Sequence, residues 1–198
     1  MRPPPVMILA GGASRRMGGG DKGLRMLAGR PLVAHVIDRI APQCDDLAIN
    51  TNGAAADFAG FGLPLLPDVI PDRPGPLAGV LTAMDWALQG GHTHVATVPG
   101  DTPFLPGDLI PQLMLAAEAS ATTPVLAQSG GRVHPVAGLW PVALRDALAQ
   151  ALATGTRRMT DWTAQAGATA VPFPDTTPDA FFNVNTPEDL ATAEAAIG

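Results

Sequence analysis

The chain has 198 residues, 46% of them hydrophobic and 15% charged, enough apolar material for the core of one domain. A formal net charge of −6 argues against bulk attraction to nucleic acid or to an anionic membrane surface. The single cysteine, Cys44, has no partner for an internal disulfide and no metal-like Cys/His spacing around it. No apolar run reaches membrane length, and the one after Met1-Arg2-Pro3-Pro4-Pro5 is too short for a signal-peptide core. The expectation is a cytoplasmic protein.

In chain order, Val6–Ala10 reads as a buried strand that stops abruptly in LAGGASRRMGGGDKGL, Leu9 to Leu24. Glycines there allow close backbone approach to a ligand, and successive N–H groups of such a loop form an anion-binding concavity. Arg15, Arg16 and Lys22 add positive charge to an otherwise acidic chain, which points to a phosphate site; the alternative is a solvated surface loop. Pro31 sits just inside a predicted helix whose Leu32, Val33, Val36, Ile37 and Ile40 share one face, closed by Pro42. Leu47–Ile49 is a second strand running into Asn50-Thr51-Asn52-Gly53, and Leu63–Asp68 a short strand ending in an acid.

After the proline-rich bend at 71–76, Leu77, Val80, Leu81, Met84 and Leu88 repeat at helical spacing. His94–Val98 is another buried strand, ending in Pro99-Gly100-Asp101, with His92 and His94 expected at the surface. Leu109–Glu118 is a predicted helix with Pro111 in its first turn. Residues 124–128 and 132–140 flank Ser129-Gly130-Gly131 as a hairpin. Helices are expected over Val142–Leu152 and Thr156–Gln165, strands over Thr169–Phe173 and Phe181–Asn185. The last helix has Thr186 as N-cap, Pro187 first, and Glu188 and Asp189 in its first turn. Alternating strands and helices followed by a hairpin argue an α/β fold with a mostly parallel sheet and a small hairpin addition, in a single domain.

In an open parallel sheet, ligands bind outside the carboxyl ends of the strands. The residues at those ends are Gly11–Lys22, Asn50 and Asn52, Asp68, Gly100-Asp101, and Asn183 and Asn185. Such residues also form ordinary turns. Asp101 is placed either to hold Mg²⁺ together with substrate phosphates or to cap the turn that Pro103 completes. Asn185 could supply a second oxygen ligand or simply cap the last helix. Gly18–Gly23 fits G-x-G-x-x-G formally, but it begins too far beyond the strand for dinucleotide binding, and there is no G-x-x-x-x-G-K-[ST]. Among the histidines only His134 is a site candidate. No Ser/His/Asp arrangement is supported.

The motifs LAGGASRRMGGGDKGL, PGPLAGV (74–80), GDTPFL (100–105) and NVNTPEDL (183–190) resemble the MobA-type molybdenum cofactor guanylyltransferases, in the family's order and over nearly the whole chain. The resemblance implies a Rossmann-like three-layer nucleotidyltransferase fold, with a nucleotide-binding N-terminal part and a pterin-binding C-terminal part. The implied partners are GTP, Mo-molybdopterin and, in passing, molybdoenzymes or their chaperones; the implied cofactor is Mg²⁺. By motif, Leu9, Ala10, Gly11, Gly12, Ser14, Arg15, Gly18 and Lys22 would hold guanine and phosphates, and Asn50 and Asp68 the nucleoside. Asp101 would bind the metal, with Asn185, and join Lys22 and Arg16 as catalytic residues. Arg16, Gly19, Gly75, Gly79, Arg158, Asn183 and Asn185 would serve the pterin side or the transfer step. The LAGG form leans to guanylyl over cytidylyl transfer. The remaining alternatives are a cytidylyltransferase or other nucleotidyltransferase, and a non-catalytic nucleotide-binding protein.

Overall fold

The computed structural model describes residues 2–11, 21–70 and 75–197. The alternation Val6-Met7-Ile8-Leu9 forms strand β1 (Val6–Leu9) at the heart of the sheet. A two-residue ribbon, β2 (Met26–Leu27) with β3 (Arg30–Pro31), lies apart from that sheet. Then come α1 (Leu32–Ile40), β4 (Leu47–Asn50), the single turn α2 (Ala55–Phe58), β5 (Leu65–Leu66), α3 (Pro76–Gln89) and β6 (His94–Pro99). The second half carries α4 (Leu109–Ala117), β7 (Val125–Ser129), β8 (Arg132–Pro141), α5 (Arg145–Ala153), α6 (Met159–Gln165), β9 (Thr169–Pro172) and α7 (Pro187–Ile197).

Among the described residues the central sheet runs β5-β4-β1-β6-β8-β7-β9. It is parallel except where β8 pairs antiparallel with both β6 and β7, which is the hairpin inserted into the parallel order. Side chains along a strand alternate between faces, so each strand feeds two cores. Val6 and Ile8 join Val33, Val36 and Ile40 of α1 and Leu109, Ile110 and Leu113 of α4 on one face. Met7 joins Leu77, Val80, Leu81 and Met84 of α3, with Leu148 of α5 and Trp162 of α6, on the other. This is the three-layer α/β arrangement. Between the layers, Trp140 Nε1 donates to Thr97 Oγ1 (2.8 Å), whose hydroxyl donates to Val136 O (2.7 Å), so the buried polar groups of β6 and β8 satisfy one another.

Several expectations are corrected. Pro31 is the N-cap of α1 and not its first turn, because its backbone is still extended in the ribbon. The helix expected from Val142 begins with a 3-10 turn at 142–144, and the one expected from Thr156 begins at Met159. Phe181–Asn185 is not a strand but an irregular strap, held by side chains and by isolated backbone contacts. The Cys44 thiol is pushed up to about 11, burial being the largest cause, which keeps it protonated and unreactive.

His94 is 6% exposed and not at the surface: its Nε2 donates to Ala121 O (3.1 Å) and its Nδ1 accepts from Thr93 Oγ1 (3.0 Å). Burial holds its pKa below the ordinary 6.5, with the Ala121 carbonyl pulling the other way. The folded state therefore resists a proton that the unfolded chain takes up below 6.5, and stability falls as pH drops through that value. Urea midpoints should fall between about pH 7.5 and about pH 5, and the His94→Gln variant should show a shallower fall. Equal slopes in the two proteins would mean that His94 does not contribute.

Candidate active site

Three parallel strands end at one level. Leu9 is paired with Asn50 on one side and Pro99 on the other. Ala10 N donates to Asn50 O (2.9 Å) and Gly100 N donates to Leu9 O (3.0 Å), so the chain leaves β1 and β6 side by side. A Cβ on Gly100 would lie 3.3 Å from Ala10 Cα, which is the close approach that glycine permits there. Leu9, Ala10 and Gly11 thus stand beside Asn50, with Gly100-Asp101 across from them. Gly12, Ser14, Arg15, Arg16, Gly18 and Gly19 lie outside the described residues.

Lys22 is fixed by the residue before it. Asp21 caps the short turn Lys22–Leu24, its Oδ1 accepting from Gly23 N (3.1 Å) and its Oδ2 from Thr51 Oγ1 (3.2 Å). Gly23 packs against Gly100, so the turn rests on the Asp101 loop. From there Lys22 Nζ donates to Asn185 Oδ1 (2.7 Å), joining parts of the chain 163 residues apart. Burial raises the Asp21 carboxyl pKa; its hydrogen bonds to Gly23 and Thr51 oppose this, and Asp101 and Asp57 add to it. The partly buried Asp101 carboxyl is likewise raised, by burial first, against the smaller opposing effect of Lys22. Nothing but its position before Lys22 distinguished Asp21 in the sequence; a capping carboxylate at the head of a turn is the signal that was available.

On the β4 side, the Asp68 carboxylate is held by two amides. Asn50 Nδ2 donates to Oδ1 (2.9 Å) and Asn52 Nδ2 to Oδ2 (2.7 Å), while Asp68 N donates to Asn52 Oδ1 (3.0 Å). Asn50 Nδ2 also reaches Leu66 O (3.0 Å). Gly79 on α3 packs against this network: a Cβ there would sit 2.5 Å from Asn50 Oδ1 and 3.0 Å from Leu9 Cδ2. Gly75, with φ 90°, opens α3 next to Arg157 O, while Arg158, the next residue, is exposed. Arg157 is turned back onto Leu152 O (2.6 Å).

The strap completes the edge. Val184 N donates to Asp101 O (3.0 Å), and Thr102 Oγ1 donates to Asn183 Oδ1. Asn185 N and Thr186 N both donate to Asp189 Oδ2 (2.9 and 2.8 Å), and Asp189 N donates to Thr186 Oγ1 (3.1 Å), a reciprocal cap on α7. The structure therefore brings together Leu9, Ala10, Gly11, Lys22, Asn50, Asp68, Gly79, Asp101, Asn183 and Asn185, with Gly75 next to the Arg157 carbonyl, one residue before Arg158. Among the described residues no group of three or more His, Cys, Asp or Glu is arranged to hold a metal ion. The sequence also gave no sign of a contact among Ser129, His134 and Asp179, which the fold assembles beyond Asn183.

A mostly parallel sheet with a lysine, a partly buried carboxylate and hydrogen-bonded amides along its carboxyl edge is a nucleotidyltransferase architecture. The chain belongs to the family of the MobA-like NTP transferase domain, whose model matches residues 6–169. It is 51% identical over 191 residues to a molybdenum cofactor guanylyltransferase of Cereibacter sphaeroides, covering 96% of this chain and 95% of that protein. It is 49% identical over 193 residues to one of Bradyrhizobium sp. (strain ORS 278), covering 96% and 91%. Its fold matches molybdopterin-guanine dinucleotide biosynthesis protein A of Archaeoglobus fulgidus, with a TM-score of 0.76 at 21% identity over 98% of both chains.

Gly79→Ala should force Asn50 away from Asp68, since the added methyl has no room. The expected result is a loss of about 1–3 kcal/mol in chemical denaturation, as for other overpacked sites, together with weaker nucleotide binding by calorimetry. Parental values of both would show that Asn50 is not held by this contact.

Proposed function

We propose that the protein transfers GMP from GTP to the terminal phosphate of Mo-molybdopterin, forming the guanine dinucleotide cofactor and pyrophosphate. The observation that carries this reading is the Lys22–Asn185 hydrogen bond beside Asp101, a cation and a partly buried carboxylate at one strand edge. The guanylyltransferase names of relatives near half identity support the choice of nucleotide and acceptor. In this reading the chain acts as one domain, its N-terminal part serving GTP and its C-terminal part the pterin. No helix among the described residues is long and apolar enough to cross a membrane, which agrees with work in the cytoplasm.

The chemistry asks little of a general base. An acceptor phosphate oxygen, already ionised, attacks the α-phosphorus of GTP; the new P–O bond forms as the α–β bridging P–O bond breaks, and pyrophosphate leaves with the electron pair. What the protein must supply is alignment and positive charge. Backbone from Leu9 to Gly11 is proposed to meet the base and phosphates, and the same role is proposed from the motif for Gly12, Ser14, Arg15 and Gly18, which lie outside the described residues. Asn50 and Asp68 face the nucleoside as a rigid pair. Lys22, relinquishing Asn185, neutralises phosphate oxygens, with Arg16 as a second cation. Gly19, Gly75, Gly79, Arg158, Asn183 and Asn185 complete the acceptor side.

The site's donors fit a hard divalent cation such as Mg²⁺, because Asp101 is a carboxylate whose burial outweighs the one lysine near it. Asp101 would hold it, with Asn185 Oδ1 as a further oxygen once Lys22 turns to phosphate. Such an ion supplies charge neutralisation on the nucleotide phosphates.

Lys22→Ala should lower turnover by about two to three orders of magnitude at saturating GTP, as loss of a transition-state donor does. A near-parental rate would remove Lys22 from the mechanism. GTP with Mg²⁺ should raise the melting temperature more than CTP with Mg²⁺, since a ligand stabilises the state that it binds. The reverse order would favour cytidylyl transfer, and stabilisation without pyrophosphate release in the presence of the pterin would favour a non-catalytic binder.

A further inference from the structure

The strap from Asp179 to Asn185 carries two of the acceptor-side asparagines, yet it belongs to no sheet or helix. Its far end is secured by the hairpin. Asp179 Oδ1 accepts from Phe181 N (3.0 Å) and from Ser129 Oγ (3.0 Å) at the end of β7. A serine hydroxyl has one proton, and here it goes to Asp179. His134 Nε2, 2.8 Å from the same Oγ, must therefore be the donor in that contact. The direction of the relay is thus set: His134 to Ser129 to Asp179. The serine sits in the middle and its proton points to a carboxylate, so this is not the geometry of a nucleophile with a base.

The His134 ring also stacks on Phe181, centroids 4.5 Å apart and planes 12° apart, and Phe173 meets Phe181 edge-on at 5.4 Å. Phe181 is buried and Asn183, two residues on, is exposed. Beyond it Val184 N donates to the main-chain carbonyl of Asp101 (3.0 Å), so the strap is fixed at the hairpin and at the backbone of Asp101, with Asn183 between the two fixings.

We propose that Ser129, His134 and Asp179 are positioning residues for nucleotidyl transfer: they clamp the strap so that Asn183 and Asn185 stand over Asp101 and Lys22. None of the three needs to touch substrate. The inference rests on the guanylyl-transfer reading. It predicts that loosening the clamp misplaces the acceptor side while leaving GTP binding intact.

Asp179 is exposed, so its replacement leaves no buried charge or cavity. Asp179→Ala removes both acceptors; Asp179→Asn retains an oxygen that can take the Ser129 and Phe181 protons. Asp179→Ala should lower kcat roughly ten- to hundredfold with KM for GTP unchanged, the scale expected of a small misplacement of reacting groups. Chymotrypsin should cut it faster after Phe181, and its melting temperature should stay near the parental one. Asp179→Asn should restore kcat and protease resistance, and Ser129→Ala should behave as Asp179→Ala does. Parental kcat and parental cleavage in Asp179→Ala would overturn the proposal, as would an Asp179→Asn variant equally impaired, or a fall in kcat matched by the loss of folded protein. If the parental chain itself released no pyrophosphate from GTP with the pterin, the transfer reading would fall, and the cleavage comparison would still decide whether the clamp holds the strap.

Discussion

Strand register is the constraint on which the rest of the molecule depends. Leu9 faces Asn50 and Pro99 across two parallel ladders, so the exits of β1, β4 and β6 stand at one height. A slip of one residue in either ladder would turn Met7 toward the α1 face and Val6 and Ile8 toward α3, exchanging two fitted cores. Apolar packing on both faces therefore sets the height of the polar edge. The chemistry proposed for Asp101 and Lys22 would thus be positioned by side chains that never approach it.

At that edge the polar groups hold one another in place. Asp68 has an amide on each oxygen, Asp21 has a backbone and a hydroxyl donor, and Asn183 accepts from Thr102. Each is oriented by a neighbour in the fold, and burial of the two cores offsets the entropy that this ordering costs. The exception is Lys22, whose ammonium is bound to a neutral amide and can change partners at small cost.

Much of this was legible in the sequence where local chemistry decides local structure. The buried strand before the glycine-rich loop, the amphipathic α1, the hairpin about Gly130-Gly131 and the Thr186-Pro187 start of α7 all follow from turn, cap and periodicity rules. The strap is misread because Phe182-Asn183-Val184-Asn185 alternates apolar and polar residues as a strand does, whereas the structure buries Phe181 and Val184, three residues apart. His94 was misplaced because its partner, the Ala121 carbonyl, is contributed by a distant turn. Ser129, His134 and Asp179 could not be grouped, since the last is 50 residues from the first and only the β7–β9 pairing brings their neighbourhoods together. Gly79 was noticed by its motif, but its reason, the space taken by Asn50, is visible only in three dimensions.

The bond between Lys22 and Asn185 also orders events during folding. Its two partners stand 163 residues apart, whereas β1, α1 and β4 meet through contacts much closer in sequence. A distant contact must wait for a long loop to close, so near contacts form first. A molecule in which only β1, α1 and β4 have folded thus holds the strand edge of the proposed site but not the strap that closes it.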